Sequence, residues 1–152
     1  MATLLLVHHT PSPATEQLRE AVLAGARHDA IEGVDVVVRP ALTCPEVDVL
    51  EADGYLLGTP ANIGYISGAL KHFFDRVYYP CLHETRGRPF GAYVHGNEGT
   101  DGAVRAIESI TAGLQWRKAA EVVTVMGQPG SEDLEAVTEL GGTVAAGLVA
   151  PF

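Results

Sequence analysis

Three short segments hold the residues that could bind a ligand or support chemistry: His9-Thr10-Pro11-Ser12-Pro13-Ala14-Thr15, Pro60-Ala61-Asn62-Ile63-Gly64-Tyr65, and His95-Gly96-Asn97-Glu98-Gly99. The first gathers hydroxyls just ahead of a helical pattern. Amides in the first turn of a helix lack intrahelical partners and carry partial positive charge, and Thr10, Ser12 and Thr15 add donors without bulk. Such a segment can hold a phosphate dianion without Lys or Arg, and it contains neither. Charge-assisted hydrogen bonds contribute roughly 1.5–3 kcal/mol each, so several suffice. Pro13 removes one N–H but suits the first turn of a helix. Ser12 or Thr15 can equally serve only as a helix cap, and both readings stand. The segment lacks the G-x-G-x-x-G turn of dinucleotide-binding folds.

The second segment follows Asp53-Gly54-Tyr55-Leu56-Leu57, a short apolar run of the kind that forms a buried strand. Glycines and a proline then open the chain into a loop, and Ser67 starts a helix with Leu70, Phe73, Phe74 and Val77 on one face. A strand that ends in small residues and returns as a helix presents backbone groups at the carboxyl edge of a sheet, where ligands bind in open α/β folds. Asn62 offers a side-chain donor and acceptor. The alternative is an ordinary strand-to-helix turn capped by Ser67. The third segment continues as Thr100-Asp101-Gly102, and its glycines permit φ > 0 and close approach of backbone to a flat ligand. Asp101 is equally suited to capping the next helix. His95 either caps its strand or touches ligand. No residue is assigned a catalytic role.

The elements that must position these segments alternate between strand and helix signals, the pattern of a parallel α/β sheet. Thr3–His8, Val34–Val38, Gly54–Leu57, Pro89–His95 and Val122–Met126 read as strands. Helical spacing runs from Ala14 to His28, from Ser67, through Ala103, Ile107, Ile110 and Leu114, and through Leu134, Val137, Leu140, Val144 and Leu148. Pro40 to Leu50 is a loop or short helix. The expected fold is a doubly wound five-stranded parallel sheet of order 2-1-3-4-5 with helices on both faces. The three segments then follow strands one, three and four, after His8, Leu57 and His95. Neither repeats nor linkers divide the chain, so residues 1–152 are expected to form a single domain.

Composition narrows the function classes. With 47% hydrophobic and 19% charged residues, the 152-residue chain has an ordinary core-forming composition. A net charge of −9 argues against nucleic acid or an anionic membrane as partner. No apolar run approaches the ~18 residues of a membrane span. Met1-Ala2-Thr3-Leu4-Leu5-Leu6-Val7 lacks a basic leader region and reads as the first strand. Cys44 and Cys81 are read as idle thiols in a reduced, cytoplasmic setting. Adjacent His8 and His9 point to opposite faces of a strand, so a metal site is not expected.

The run from Gly58 to Asp75, G-T-P-A-N-I-G-Y-I-S-G-A-L-K-H-F-F-D, resembles the isoalloxazine-contacting loop of flavodoxin-like proteins. The likeness is greatest to the NAD(P)H:quinone reductase branch of the tryptophan-repressor-binding-protein type and to NADPH-dependent FMN reductases. That branch reads roughly G-T-P-T-x-F-G-x-M-S-x-x-x-K-x-F-x-D. The resemblance implies FMN as cofactor, with its phosphate in the His9–Thr15 segment and its ring along Pro60–Tyr65 and His95–Gly99. Pro13 and Ala14 replace the family's usual Gly and Asn, and Ile63 stands where an aromatic is common.

The implied activity is FMN-dependent electron transfer from NAD(P)H to a quinone or similar small molecule. Tyr65 is the one aromatic in the three segments, which leaves a ring face open for hydride transfer. Two other classes remain: a one-electron flavodoxin carrier, and a flavodoxin-like interaction module without catalytic flavin. Family members are commonly oligomeric, and Tyr78-Tyr79-Pro80-Cys81-Leu82, expected in a surface connection, is either an interface patch of a homodimer or tetramer or folds back on the core.

Overall fold

The computed structural model describes residues 1–150. A parallel sheet is built from β1 (Ala2–His8), β2 (Val34–Pro40), β3 (Gly54–Asn62), β5 (Pro89–Gly96) and an edge strand in two pieces, β6 (Arg117–Lys118) and β7 (Val123–Met126). The spatial order is β2-β1-β3-β5, with β6 and β7 both pairing β5. Counting the broken edge strand once gives the expected 2-1-3-4-5 order. A two-residue strand, β4 (Tyr65–Ile66), pairs antiparallel with the end of β3.

Alternation along the strands creates two cores. On β1, Leu4 and Leu6 face one side and Leu5 and Val7 the other, all fully buried. The first side is covered by α1 (Pro13–Ala26) and α5 (Ser131–Val149), which bring Leu18, Val22, Val137, Leu140 and Val144. The two helices meet with almost no side-chain spacer, since a Cβ on Gly25 would overlap the Thr138 carbonyl and one on Gly141 that of Val22. The second side is covered by α2 (Glu46–Glu51), α3 (Gly68–Cys81) and α4 (Thr100–Leu114), carrying Val49, Phe73, Phe74, Val77, Ile107 and Leu114.

The amino edge of the sheet is braced by side chains. Arg88 Nη1 donates to the carbonyls of Val49, Leu50 and Ala52, and Trp116 stacks on Tyr55 with ring centroids 4.0 Å apart. The three small-residue segments lie at the opposite, carboxyl edge. Cys44 and Cys81 are free and buried. Burial, with the Asp48 carboxylate adding to it, pushes the Cys44 thiol up to about 12, and burial raises Cys81 to about 11. Protonated thiols of this kind are poor nucleophiles. Among the described residues, no helix is long and apolar enough to cross a membrane, and no group of three or more His, Cys, Asp or Glu could hold a metal ion.

Three sequence-based boundaries are corrected. The third strand does not stop at Leu57, because Thr59 and Pro60 pair with Val94 and His95 of β5. The proline is tolerated because β1 has ended by then, its last pair with β3 being His8 and Gly58, so β3 is an edge at that level. The fifth strand starts at Val123 and has a separate first piece at Arg117–Lys118. Tyr78–Cys81 is not a surface connection but the last turn of α3, which continues through Pro80. Within it Cys81 is buried, Tyr78 packs on the core and Tyr79 is exposed.

Candidate functional site

The first segment leaves the sheet at His8. His9 N donates to Gly58 O at 2.9 Å and Ala41 N to His8 O at 2.8 Å, which fixes the exit between β2 and β3. Ser12 is the N-cap of α1 and Pro13 its first residue. Ser12 and Thr15 form a reciprocal box: Thr15 N donates to Ser12 Oγ at 3.2 Å and Ser12 N to Thr15 Oγ1 at 3.1 Å. Thr15 Oγ1 also donates to Ser12 O at 3.0 Å. The capping role is thus realised, and it occupies two of the three hydroxyls proposed for an anion.

Thr10 is the third hydroxyl. Its Oγ1 lies 2.7 Å from His8 Nδ1. Burial, and then the Arg19 and His9 charges, pull the His8 pKa down to about 4, so its ring is neutral near pH 7. With the proton on Nδ1, His8 donates to Thr10 and leaves the threonine hydrogen free for an anionic oxygen. An anion beside Thr10 selects that tautomer.

The second segment is a β-hairpin rather than an open loop. Ala61 pairs with Ile66 and Asn62 with Tyr65, so Ile63 and Gly64 form the two-residue tip. Both have positive φ, 51° and 72°, as a type I′ turn requires. Gly64 adopts this freely. Ile63 is β-branched, and the left-handed region costs such a residue about 1–2 kcal/mol. Its side chain is wholly exposed at 105%, so no packing within the chain offsets that cost. Strain held at a surface tip is a marker of function. Below the tip, Thr59 Oγ1 accepts from Ser67 N at 3.1 Å, and Ser67 caps α3.

In the third segment, His95 and Gly96 still belong to β5. His95 Nε2 donates to Gly127 O at 2.8 Å, anchoring the ring to the end of β7. A Cβ on Gly96 would meet Thr100 Cγ2 at 3.0 Å and Ala61 Cβ at 3.2 Å. Its small size therefore serves the packing of β5 between the hairpin and α4, and no ligand is needed to explain it. Gly99, the N-cap of α4, has φ 70° and sits with its Cβ position 3.0 Å from Gly64 Cα.

Ala61, Asn62, Ile63 and Gly64 face Asn97, Glu98 and Gly99 across an open cleft of about 880 Å³. Two of the three segments predicted from sequence thus form its walls. Pro60 and His95 pair within the sheet, and neither they nor Gly96 and Tyr65 line the cleft. His9–Thr15 lies at the same edge, tied through the His9–Gly58 bond, but does not line the cleft.

Three residues outside the predicted set join this edge. Arg19, one turn after Thr15 on α1, acts electrostatically on both His8 and Tyr93. Its i+4 spacing from Thr15 was the available signal. Met126 pairs with Gly96 and is half-exposed, with Thr100 Oγ1 3.6 Å from its sulfur. A lone Met at a strand end gives no such signal. Tyr93 lies against Gly58, where a Cβ would overlap its hydroxyl. That hydroxyl is buried without a hydrogen-bond partner among the described residues.

A family model described as NADPH-dependent FMN reductase matches residues 14–129. A flavodoxin from Aquifex aeolicus (strain VF5) is 36% identical over 88 residues, 58% of this chain and 46% of that protein. An NAD(P)H dehydrogenase (quinone) from Acidithiobacillus ferrooxidans is 31% identical over 97 residues, 51% of this chain and 48% of that protein. These alignments span about half the length of each curated relative. The crystal structure of a flavodoxin, WrbA-like protein from Agrobacterium tumefaciens superposes with a TM-score of 0.78 at 17% identity, covering 95% of this chain and 96% of that one. At that identity the likeness establishes the flavodoxin-like fold alone.

Proposed function

We propose that this chain, which belongs to the NADPH-dependent FMN reductase family, binds FMN at the carboxyl edge of its sheet and passes electrons from NAD(P)H to a quinone or similar small acceptor. FMN, when bound, supplies the hydride and electron chemistry. The chain supplies position and shielding. The observation that carries this reading is the cleft between the hairpin tip and Asn97–Gly99, where Ala61, Gly64 and Gly99 leave backbone accessible to a flat ring. Asn62 and Asn97 bring amide donors and acceptors to it, and Glu98 is its one charged wall residue. The 14-residue helix α1 begins beside it with Thr10 and a neutral His8 at its start, a donor set suited to a phosphate. Ile63, in place of a ring, leaves a face open to a second planar molecule.

Anaerobic mixing of the FMN-loaded protein with NADH and with NADPH tests the proposal. Bleaching of the oxidised flavin band, with recovery on adding a quinone, is the expected result. A second reading, a dedicated electron carrier, is favoured by the 36% identity to a flavodoxin. That reading takes over if neither nucleotide bleaches the flavin and a separate reductase does. A protein that takes up no FMN loses both readings and leaves the interaction-module class.

A further inference from the structure

We infer that the β2 edge of the sheet pairs antiparallel with the same edge of a second copy of this chain. The hydrogen bonds at the two ends of β2 fix which of its groups face outward. Ala2 N donates to Gly33 O and Ala41 N to His8 O, so the odd-numbered residues of β2 bond to β1. Val34, Val36 and Val38 therefore turn their N–H and C=O groups to the open side. Among the described residues β2 pairs with β1 alone, and the one bond to these outward groups is from Arg39 Nη1 to Val38 O at 3.1 Å. Val36 and Val38 on one face and Val37 on the other are only partly buried, so the helix layers leave this edge open on both faces.

Charge complementarity identifies the occupant and the register. The far edge of the sheet is broken into β6 and β7, of two and four residues, whereas β2 runs unbroken for seven. An edge strand is protected from its own copies when charges on it repel. β2 instead carries Asp35 and Arg39, of opposite sign and two residues either side of Val37. About a two-fold axis at Val37, Asp35 meets Arg39 of the second copy twice over, and Val37 meets Val37. The same register sets Val36 opposite Val38 as hydrogen-bonded pairs, which the outward groups require. The two neighbouring registers that keep those bonds set Asp35 or Arg39 opposite Val37, so charge selects the one centred on Val37. Asp35 is exposed and makes no ion pair among the described residues. Arg39 bridges to Asp48 through Nε at 2.7 Å, and its Nη groups are free for the second carboxylate once Val38 O accepts an amide of the other copy.

Sedimentation velocity of the parent protein, up to a chain concentration on the order of 1 mM, is expected to show a monomer–dimer equilibrium. Asp35→Arg and Arg39→Glu, each alone, set like charges opposite one another and should weaken self-association by about tenfold or more. Mixed in equal amounts, the two variants restore opposite pairs and should form a heterodimer. Val37→Cys should give a disulfide-linked dimer on mild oxidation, because residues facing across a non-hydrogen-bonded pair have Cα atoms about 4.5 Å apart. The parent should give none, since Cys44 and Cys81 are buried. If circular dichroism shows that Arg39→Glu fails to fold beside Asp48, Asp35→Arg and Val37→Cys decide the matter. A parent that stays monomeric throughout overturns the inference. So does a dimer that the charge changes do not weaken or that Val37→Cys does not cross-link, since the chains then meet through another face. None of these outcomes depends on FMN, and failure here leaves the reductase reading in place.

Discussion

The Gly64 carbonyl occupies the space that a Cβ on Gly102 would need. The tip of the β3–β4 hairpin therefore rests directly on the first turn of α4, backbone against backbone. This contact sets the width of the cleft, because Gly64 is one of its walls and Gly99, three residues before Gly102, is another.

Gly102→Ala should thus act on the cleft more than on the fold. The added methyl must push the hairpin off α4, at a stability cost of about 1–3 kcal/mol. Riboflavin and FMN should both bind more weakly, since the ring wall moves. Fluorescence titration of the two ligands checks this, and unchanged affinity for both would show that the hairpin does not contact the ring.

Ile63→Asn makes the opposite trade. Asn-Gly is a favoured type I′ pair, and the exposed Ile63 side chain gives up no internal packing. The urea midpoint should rise by the equivalent of about 1 kcal/mol. Quinone reductase turnover should fall if the strained isoleucine borders the open ring face. A rise in stability with full turnover would reduce Ile63 to a tolerated turn residue.

Thr10→Ala and Ser12→Ala separate ligand binding from capping. Ser12 is committed to its box with Thr15, so its loss should destabilise the apoprotein by about 1 kcal/mol. Thr10→Ala also removes the partner of the buried His8 Nδ1, at a cost of about 1 kcal/mol to the apoprotein, and should weaken FMN by about tenfold or more while sparing riboflavin, which has no phosphate. Equal weakening of the two ligands by Thr10→Ala would place the phosphate elsewhere.

His8 predicts an acid sensitivity of known sign. Its folded pKa, about 4, lies below the ordinary histidine value near 6.5. The unfolded chain therefore takes up this proton first. Stability from His8 is full above about pH 6.5, declines as pH falls toward about 4, and levels off below that. The total is about 3 kcal/mol. Subtracting the urea-derived stability curve of His8→Asn, which cannot titrate there, isolates the contribution from that of the carboxylates. A difference curve that is flat between pH 4 and 6.5 would contradict the buried, neutral ring.

How far the sequence could be read varied with the range of the interactions that decide each part. Apolar runs at Thr3–His8 and Pro89–His95, and the Ala103–Leu114 helical spacing, are local signals, and they found the strands, the helices and the order of the sheet. The failures share one cause. Gly58-Thr59-Pro60-Ala61 looks like a loop because glycine and proline have weak strand preferences, yet pairing with Val94 and His95 draws the strand onward. Pro80 looks like the end of a helix, and α3 carries it near its terminus, where few hydrogen bonds are lost.

The sequence by itself determined that three small-residue segments reach the carboxyl edge of a doubly wound sheet, because period and turn chemistry act over a few residues. Only the tertiary structure decided what each segment does there. It turned Gly96 into a packing residue between the hairpin and α4, and set the hairpin tip on Gly102. These outcomes depend on which atoms from distant parts of the chain are packed into one volume, and a one-dimensional pattern does not carry that information.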